Sequence, residues 1–187
     1  MSISINGNGI TSANIADGAI TNADIADVAA SKLTGALPAI SGAALTNLPG
    51  GGKVLQVLIV EDATEMTLSS DTYTNTNLSL SITPSSASSK ILAMWNVQAG
   101  INSTDGGWGT QLKRGSTPIY ASASKYDVYS GSNSAHMRQR GDYKHLDSPN
   151  TTSAITYTVQ VATYTSLTCR FNNAGNQTQL VLMEIGA

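Results

Sequence analysis

The chain has 187 residues and a formal charge of −2, and charged residues make up 12% of it, about half the ~25% of an ordinary soluble domain. This balance argues against a nucleic-acid-binding protein, which needs a basic surface to neutralise phosphates. The 41% of hydrophobic residues argues against disorder caused by charge repulsion.

Targeting signals are weak along the whole sequence. The first residues are neither basic nor apolar enough for a secretory leader, so we expect no signal peptide. The longest apolar run, residues 54–60, is too short to cross a bilayer, so we expect no membrane insertion. Cys169 has no second cysteine to pair with, which excludes a disulfide within the chain.

Residues 1–50 differ in composition from the rest of the chain. They contain no aromatic residue, whereas all ten aromatic residues lie after residue 70. A segment without its largest core-filling side chains cannot build an isolated core. The turn-like run 49–52 (PGGG) marks the change, and we expect two parts, residues 1–50 and residues 51–187.

Apolar residues recur every five positions in the first part, a spacing that suits neither an α-helix nor a strand. Three interpretations stay open: a pentapeptide-repeat β-helix, a disordered low-complexity tail, or a segment that folds against other copies or a larger assembly. In the third case the segment is a shaft or an anchor. The residues expected to hold it to its partners are Ile10, Ile15, Ile20, Ile25, Leu33, Leu37, Ile40 and Leu45.

The second part is predicted to be all-β. Runs rich in β-branched residues alternate with turn signals about every ten residues, which is typical of an antiparallel β-sandwich resembling a jelly roll. Leu78, Leu80 and Ile82 are expected on one face, and Ile155–Tyr164 is expected to have one wet face. The predicted strands are residues 53–60, 77–83, 90–97, 110–113, 118–122, 155–164, 166–171 and 179–185.

Several segments together resemble fibre-like virion proteins of tailed bacteriophages. Residues 10–24 and 32–40 are similar to shaft repeats of phage tail fibres. The segments similar to the C-terminal β-sandwich of such proteins are Gly51–Val57, Ile82–Leu92, Leu112–Ile119 and Leu182–Ala187.

This resemblance implies a homotrimer in which residues 1–50 bind other virion proteins and the sandwich is presented for attachment to a host-surface glycan or protein. The protein would be part of the virion, assembled in the cytoplasm of the host bacterium. Two alternatives remain: a head fibre or capsid decoration (cement) protein with a structural role, and a monomeric carbohydrate-binding module.

Patterns for catalysis, metals and cofactors are missing from the sequence. His136, His145 and Cys169 do not have the spacing of zinc ligands. Residues 131–135 lack the serine position of a nucleophile elbow, and residues 7–9 lack the third glycine of a dinucleotide loop. We therefore expect no enzyme, no catalytic residue, no metal and no cofactor.

The stretch from Trp108 to Asp147 interleaves aromatic and basic residues. Flat apolar rings beside hydrogen-bond donors are suited to binding sugar rings or proteins. Alternatively, the aromatic residues fill the core while the basic residues lie on a wet face or at a subunit interface. The ligand-binding candidates are Trp108, Tyr126, Tyr129, Arg138, Arg140, Tyr143 and His145.

Overall fold

The computed structural model describes residues 52–101, 104–131 and 137–186. The predicted shaft or anchor, with its candidates from Ile10 to Leu45, lies outside the described residues, as does His136. The division near residue 50 therefore stays a prediction.

The described residues form strands joined by turns, with two short 3-10 turns at Ala123–Lys125 and Asn173–Gly175. Among these residues no helix is long and apolar enough to cross a membrane. The strands are β1 (Val54–Asp62), β2 (Met66–Leu68), β3 (Thr74–Ile82), β4 (Lys90–Ile101), β5 (Gly106–Arg114), β6 (Thr117–Ala121), β7 (Val128–Ser130), β8 (Met137–Asp147), β9 (Ile155–Tyr164), β10 (Cys169–Phe171) and β11 (Thr178–Ile185).

The strands form two antiparallel sheets, which confirms the predicted all-β sandwich. Sheet A has the order β1-β11-β4-β10-β2, with β8 on the other side of β4. Sheet B has the order β3-β9-β5-β6, with β7 also on β5. In sheet A, β11 and β10 pair with the two ends of β4, so each sheet is four rows wide.

The order of these rows is that of a jelly roll. Strands β1 with β2, β6 with β7, and β10 with β11 each share one row, which gives eight rows in chain order. Sheet A then has rows 1-8-3-6 and sheet B has rows 2-7-4-5. Successive rows lie in opposite sheets except rows 4 and 5, which are neighbours in sheet B, and this nested arrangement of two Greek keys defines the jelly roll.

The core lies between the sheets and follows the period-two alternation of the strands. Leu78 and Ile82 are buried and Leu80 is half-buried on one face of β3, as predicted. Trp95 and Trp108 are buried with them, and Trp108 packs edge-to-face on Phe171 with ring centroids 5.9 Å apart.

Three strands, β2, β7 and β8, were not predicted, and one predicted face differs from the structure. Strand β8 shows no clear alternation in the sequence, because its inward positions include Gly141 and Asp147, while its outward positions carry charged side chains, as is common on the edge of a sheet. The predicted wet face of β9 is limited to its first half, since Gln160 and Ala162 are buried. The segment that holds the 3-10 turn Ala123–Lys125 packs over this face of sheet B.

The sandwich has two distinct ends. Gly52 and the start of β1 lie at the end where Arg114 on β5 contacts Asp147 on β8, with Nη1 and Oδ1 2.9 Å apart. The hydroxyl of Tyr157 donates to the same carboxylate at 2.7 Å, so this contact links sheet A to sheet B. Burial, and then the hydrogen bond to Asp147, raise the pKa of Tyr157.

A buried carboxylate organises the same end. Glu184 on β11 is 1% exposed, and its Oε1 accepts hydrogen bonds from the backbone N–H and the hydroxyl of Ser85 at 2.7 and 2.6 Å. Its Oε2 accepts from Nε2 of Gln56 on β1 at 2.6 Å. Burial alone would raise the pKa of Glu184, but these hydrogen bonds outweigh it and lower the pKa from 4.5 to about 2.

We expect Glu184→Gln to lower the free energy of unfolding at pH 7 by about 1–3 kcal/mol, because one donor is left without its acceptor in a buried place. The pKa of Glu184 is lower in the folded protein than in the unfolded chain. Its contribution is therefore present above pH 4.5 and is lost as the pH falls from 4.5 toward 2.

Urea denaturation of both proteins across this pH range measures the effect. Exposed Asp71→Asn is the matched control, with an expected change within about 0.5 kcal/mol. Equal acid sensitivity of wild type and Glu184→Gln would contradict the role of this carboxylate.

Candidate functional site

The structure separates the predicted ligand-binding residues into four places. Trp108 is fully buried between the sheets, which is the alternative position that the sequence left open for the aromatic residues. Because its ring contacts Phe171 in the core, it is not exposed for a ligand in this fold.

Tyr143 and His145 lie on the inner face of β8, at the side of the sandwich. The Tyr143 ring stacks on the Trp95 ring with centroids 5.5 Å apart, and the centroids of the His145 and Tyr120 rings are 6.4 Å apart. Burial, followed by the negative charge of Asp127, raises the pKa of Tyr143. These two residues are half-buried and extend the core to the edge of the sheet.

Arg138 and Arg140 are exposed on the outer side of β8. One guanidinium nitrogen of Arg140 donates to the carbonyl oxygen of Gln177 at 2.7 Å. The two arginines therefore lie on a different face from Tyr143 and His145.

Tyr126 and Tyr129 form a site together with Tyr164, a residue that the sequence analysis did not single out. We call Tyr126, Tyr129 and Tyr164 the tyrosine cluster. Their ring centroids lie 5.0 to 6.0 Å apart, with steep angles between the ring planes. Tyr126 and Tyr129 are each 46% exposed, which is unusual for aromatic rings that also contact one another.

Gly107 lies beneath the tyrosine cluster and lets its residues pack close to β5. Gly107 on β5 pairs with Tyr164 of β9 on one side and Tyr129 of β7 on the other. A Cβ atom at Gly107 would lie 2.7 Å from the carbonyl oxygen of Val128 and 3.1 Å from Cβ of Tyr126. The space beside Gly107 is therefore filled by β7 and Tyr126, which pack against β5 in this way because glycine has no side chain. The three tyrosine rings line a depression with a volume of about 240 Å³.

Tyr129 is fixed in place by a hydrogen bond at the rim. Its hydroxyl donates to Oδ1 of Asp105 at 2.9 Å. This hydrogen bond is the main reason why the pKa of Tyr129 is raised above its usual value. The remaining oxygen of Asp105 and the other two hydroxyl groups provide acceptors and donors around the apolar rings.

The backbone next to Tyr164 adopts an unfavourable conformation. Thr165 and Ser166 have φ values of 53° and 56°, and the Leu167 N–H donates to the Tyr164 carbonyl at 3.3 Å. Two successive positive φ values are typical of a turn that favours Asn-Gly. A β-branched threonine is rare in this region, and such strain is often found beside functional sites.

The site can accept one ring-shaped ligand. Its volume is below the ~300–1,000 Å³ of pockets for drug-sized molecules, which is suited to a single sugar ring or one side chain of a protein. The steeply inclined tyrosine rings present both faces and edges, and the phenol groups supply hydrogen bonds.

In the other polar clusters, the side chains form hydrogen bonds or ion pairs with one another. Asp62 accepts from Nδ2 of Asn172 at 2.8 Å, and Glu65 pairs with Arg170 and with Asn173. No group of three or more His, Cys, Asp or Glu side chains that could hold a metal ion occurs within residues 52–101, 104–131 and 137–186.

Comparisons with known proteins give distant structural likenesses alone. No protein-family model matches the sequence, and no curated protein matches it. VP2 of infectious bursal disease virus in a subviral particle is similar with a TM-score of 0.41 and 10% identity, over 70% of this chain and 38% of that chain. Dimeric latent PorU from Porphyromonas gingivalis gives a TM-score of 0.35 and 12% identity, over 73% of this chain and 14% of that chain.

The chain therefore spans less than two fifths of the length of either protein. Likenesses this distant carry no argument about what the chain binds or does.

We expect Thr165→Asn combined with Ser166→Gly to raise the free energy of unfolding by about 1–2 kcal/mol, because both residues tolerate positive φ. Thermal and urea denaturation measure the change. Asn150→Gly is the control, because asparagine at its φ of 52° already tolerates this region and little change is expected. If the double variant gained no more than the control, the turn would not be strained.

Proposed function

We propose that the protein is a structural component of a bacteriophage virion, a trimeric fibre whose jelly-roll domain binds a host-surface polysaccharide through the tyrosine cluster. The tyrosine cluster, whose exposed rings line a depression next to Gly107, is the observation that supports the binding role. The other two parts of the proposal, the location in a virion and the number of three copies, rest on the resemblance to fibre-like virion proteins.

The position of the cluster supports this role. Tyr129 and Tyr164 flank Gly107 near the start of β5, at the end of the sandwich opposite Gly52 and the start of β1. The 12 residues of β4 run from one end to the other, a distance of about 35–40 Å. A domain that is held at Gly52 would present its tyrosine cluster at the far end.

The segments that carry the resemblance also meet in the fold. Gln56, Ser85 and Glu184 come from three of them and form the buried hydrogen-bonded group described above. The resemblance therefore concerns how the sandwich is built, while the tyrosine cluster lies outside those segments. This distribution is expected when related domains share a scaffold and differ in the ligand that they bind.

Binding of the full-length protein to immobilised bacterial polysaccharides tests the proposal. The probes are purified lipopolysaccharide O-antigens and capsular polysaccharides, measured by biolayer interferometry. We expect binding to at least one of them, and a loss of affinity of tenfold or more in Tyr126→Ala and in Tyr164→Ala, because each variant removes one wall of the depression.

Tyr129→Phe separates the ring from its hydroxyl group. It keeps the wall but loses the hydrogen bond to Asp105, so we expect a smaller loss than in Tyr129→Ala. Thr156→Ala, at an exposed position on β9, is the control for general surface effects. Absence of binding to every polysaccharide, or binding that does not change in the tyrosine variants, would refute the host-attachment role.

A further inference from the structure

The outer face of sheet A is apolar along β1, β11 and the first part of β4, and this apolar area extends to Leu146 on β8. Residues that alternate with the core positions Ile91, Ala93 and Trp95 point away from the core, and the strand register brings them side by side. On β1, Val57 and Ile59 are 53% and 55% exposed. The apolar residues of this face are Val54, Val57, Ile59, Leu92, Met94, Leu146, Val181, Met183 and Ile185.

The outer face of sheet B has the opposite character. Ser79 and Thr158 form a hydroxyl–hydroxyl hydrogen bond of 3.0 Å across β3 and β9, and Ser81 and Thr156 form one of 2.7 Å. Polar residues of this kind are typical of a sheet face in contact with water. The two outer faces of the domain therefore differ in polarity: the face of sheet B is suited to contact with water, and the face of sheet A is suited to contact with another apolar surface.

The apolar face is large enough to be an interaction surface. Four rows about 4.8 Å apart and five to six residues at about 3.4 Å give an area on the order of 300 Å². Exposed apolar patches of this size on folded proteins often mark a binding surface. With a polar rim, the area is suited to the core of a standard interface of about 800 Å² per partner.

The two edges of sheet A are complementary to each other. Strand β1 has no charged residue from Val54 to Val60 and ends with Glu61 and Asp62, and within the described residues it pairs with β11 alone. The other edge, β8, carries the outward-facing Arg140 and Lys144, with Asp142 between them. Lys144 makes no ion pair within the part of the chain that the structure describes.

A groove lies beside the basic edge. Met94, Asn96, Asp142, Lys144 and Val181 are among the residues that line it, between β4, β8 and β11, and its volume is about 380 Å³. The ridge formed by Val57 and Ile59 on β1 has matching apolar character. A β1 ridge placed in this groove would bring Glu61 close to Lys144.

We propose that the occupant of the apolar face is another copy of this chain, with the β1 ridge of one copy packed in the β4–β8 groove of the next. Such a head-to-tail contact forms a ring when the rotation between successive copies closes, and in the proposed ring the apolar faces are turned toward the axis. The number of copies, three, rests on the proposed function, whereas the contact surface does not depend on polysaccharide binding.

Light scattering after size-exclusion chromatography of the full chain tests the contact. We expect the wild type at three times the monomer mass of 19.3 kDa, and Val57→Lys with Ile59→Lys at the monomer mass, because two buried ammonium groups prevent packing. Ser79→Lys with Ser81→Lys, on the polar face of sheet B, is the matched control and should keep the wild-type mass. If the lysine variant fails to fold, Val57→Thr with Ile59→Thr is measured by the same criterion.

A charge exchange tests the geometry. Within one copy Glu61 and Lys144 lie on opposite edges of sheet A, three rows or about 14 Å apart, too far to pair directly. We expect Glu61→Lys and Lys144→Glu each to raise the dissociation constant about tenfold, and the double exchange to restore it.

Three outcomes would overturn the proposal. A monomeric wild type would remove the second copy as the occupant. An unchanged mass in the Val57 and Ile59 variants would place any association elsewhere in the chain. Single charge variants that weaken association without recovery in the double exchange would exclude the head-to-tail pairing. Polysaccharide binding measured on the same variants separates a failure of this contact from a failure of the attachment role.

Discussion

The buried carboxylate of Glu184 is the interaction on which one end of the sandwich depends. Its two oxygens hold β1 through Gln56 and the turn after β3 through Ser85, and the hydrogen bonds outweigh the cost of burying its charge. Arg114, Asp147 and Tyr157 link the two sheets at the same end. Because these groups constrain the end where β1 begins, the opposite end can carry exposed rings and a strained turn.

The fold could be predicted from the sequence wherever a strand has one apolar face. Strand β3 shows this, because Leu78, Leu80 and Ile82 alternate with serines that face water. Strand β8 could not be predicted, because its inward positions include Gly141, Tyr143 and Asp147, which do not form an apolar series. The sequence also did not indicate the burial of Gln160, because its amide is enclosed by Asn75 and Gln111 on neighbouring strands of sheet B, which are distant from it in the chain.

The candidate site could be predicted in part. Tyr126 and Tyr129 belong to a recognisable aromatic stretch, but Tyr164 ends a strand 35 residues beyond Tyr129 and joins them through the register of β5 with β9. The role of Gly107 is visible once the three rows lie side by side. Trp108, its neighbour, looks equally suitable as a ligand contact in the sequence, yet period-two alternation turns its side chain into the core.

The requirement for glycine at Gly107 has a consequence for how this domain could evolve. The tyrosine rings project outward from the ends of strands and contribute little to the core, so replacing one of them changes the recognition surface without refolding the sandwich. Gly107 has no such freedom, because any larger residue would collide with the carbonyl of Val128. Substitutions would therefore accumulate in the walls of the depression while Gly107 remained fixed, so the shape of the depression can change without a change in the sandwich.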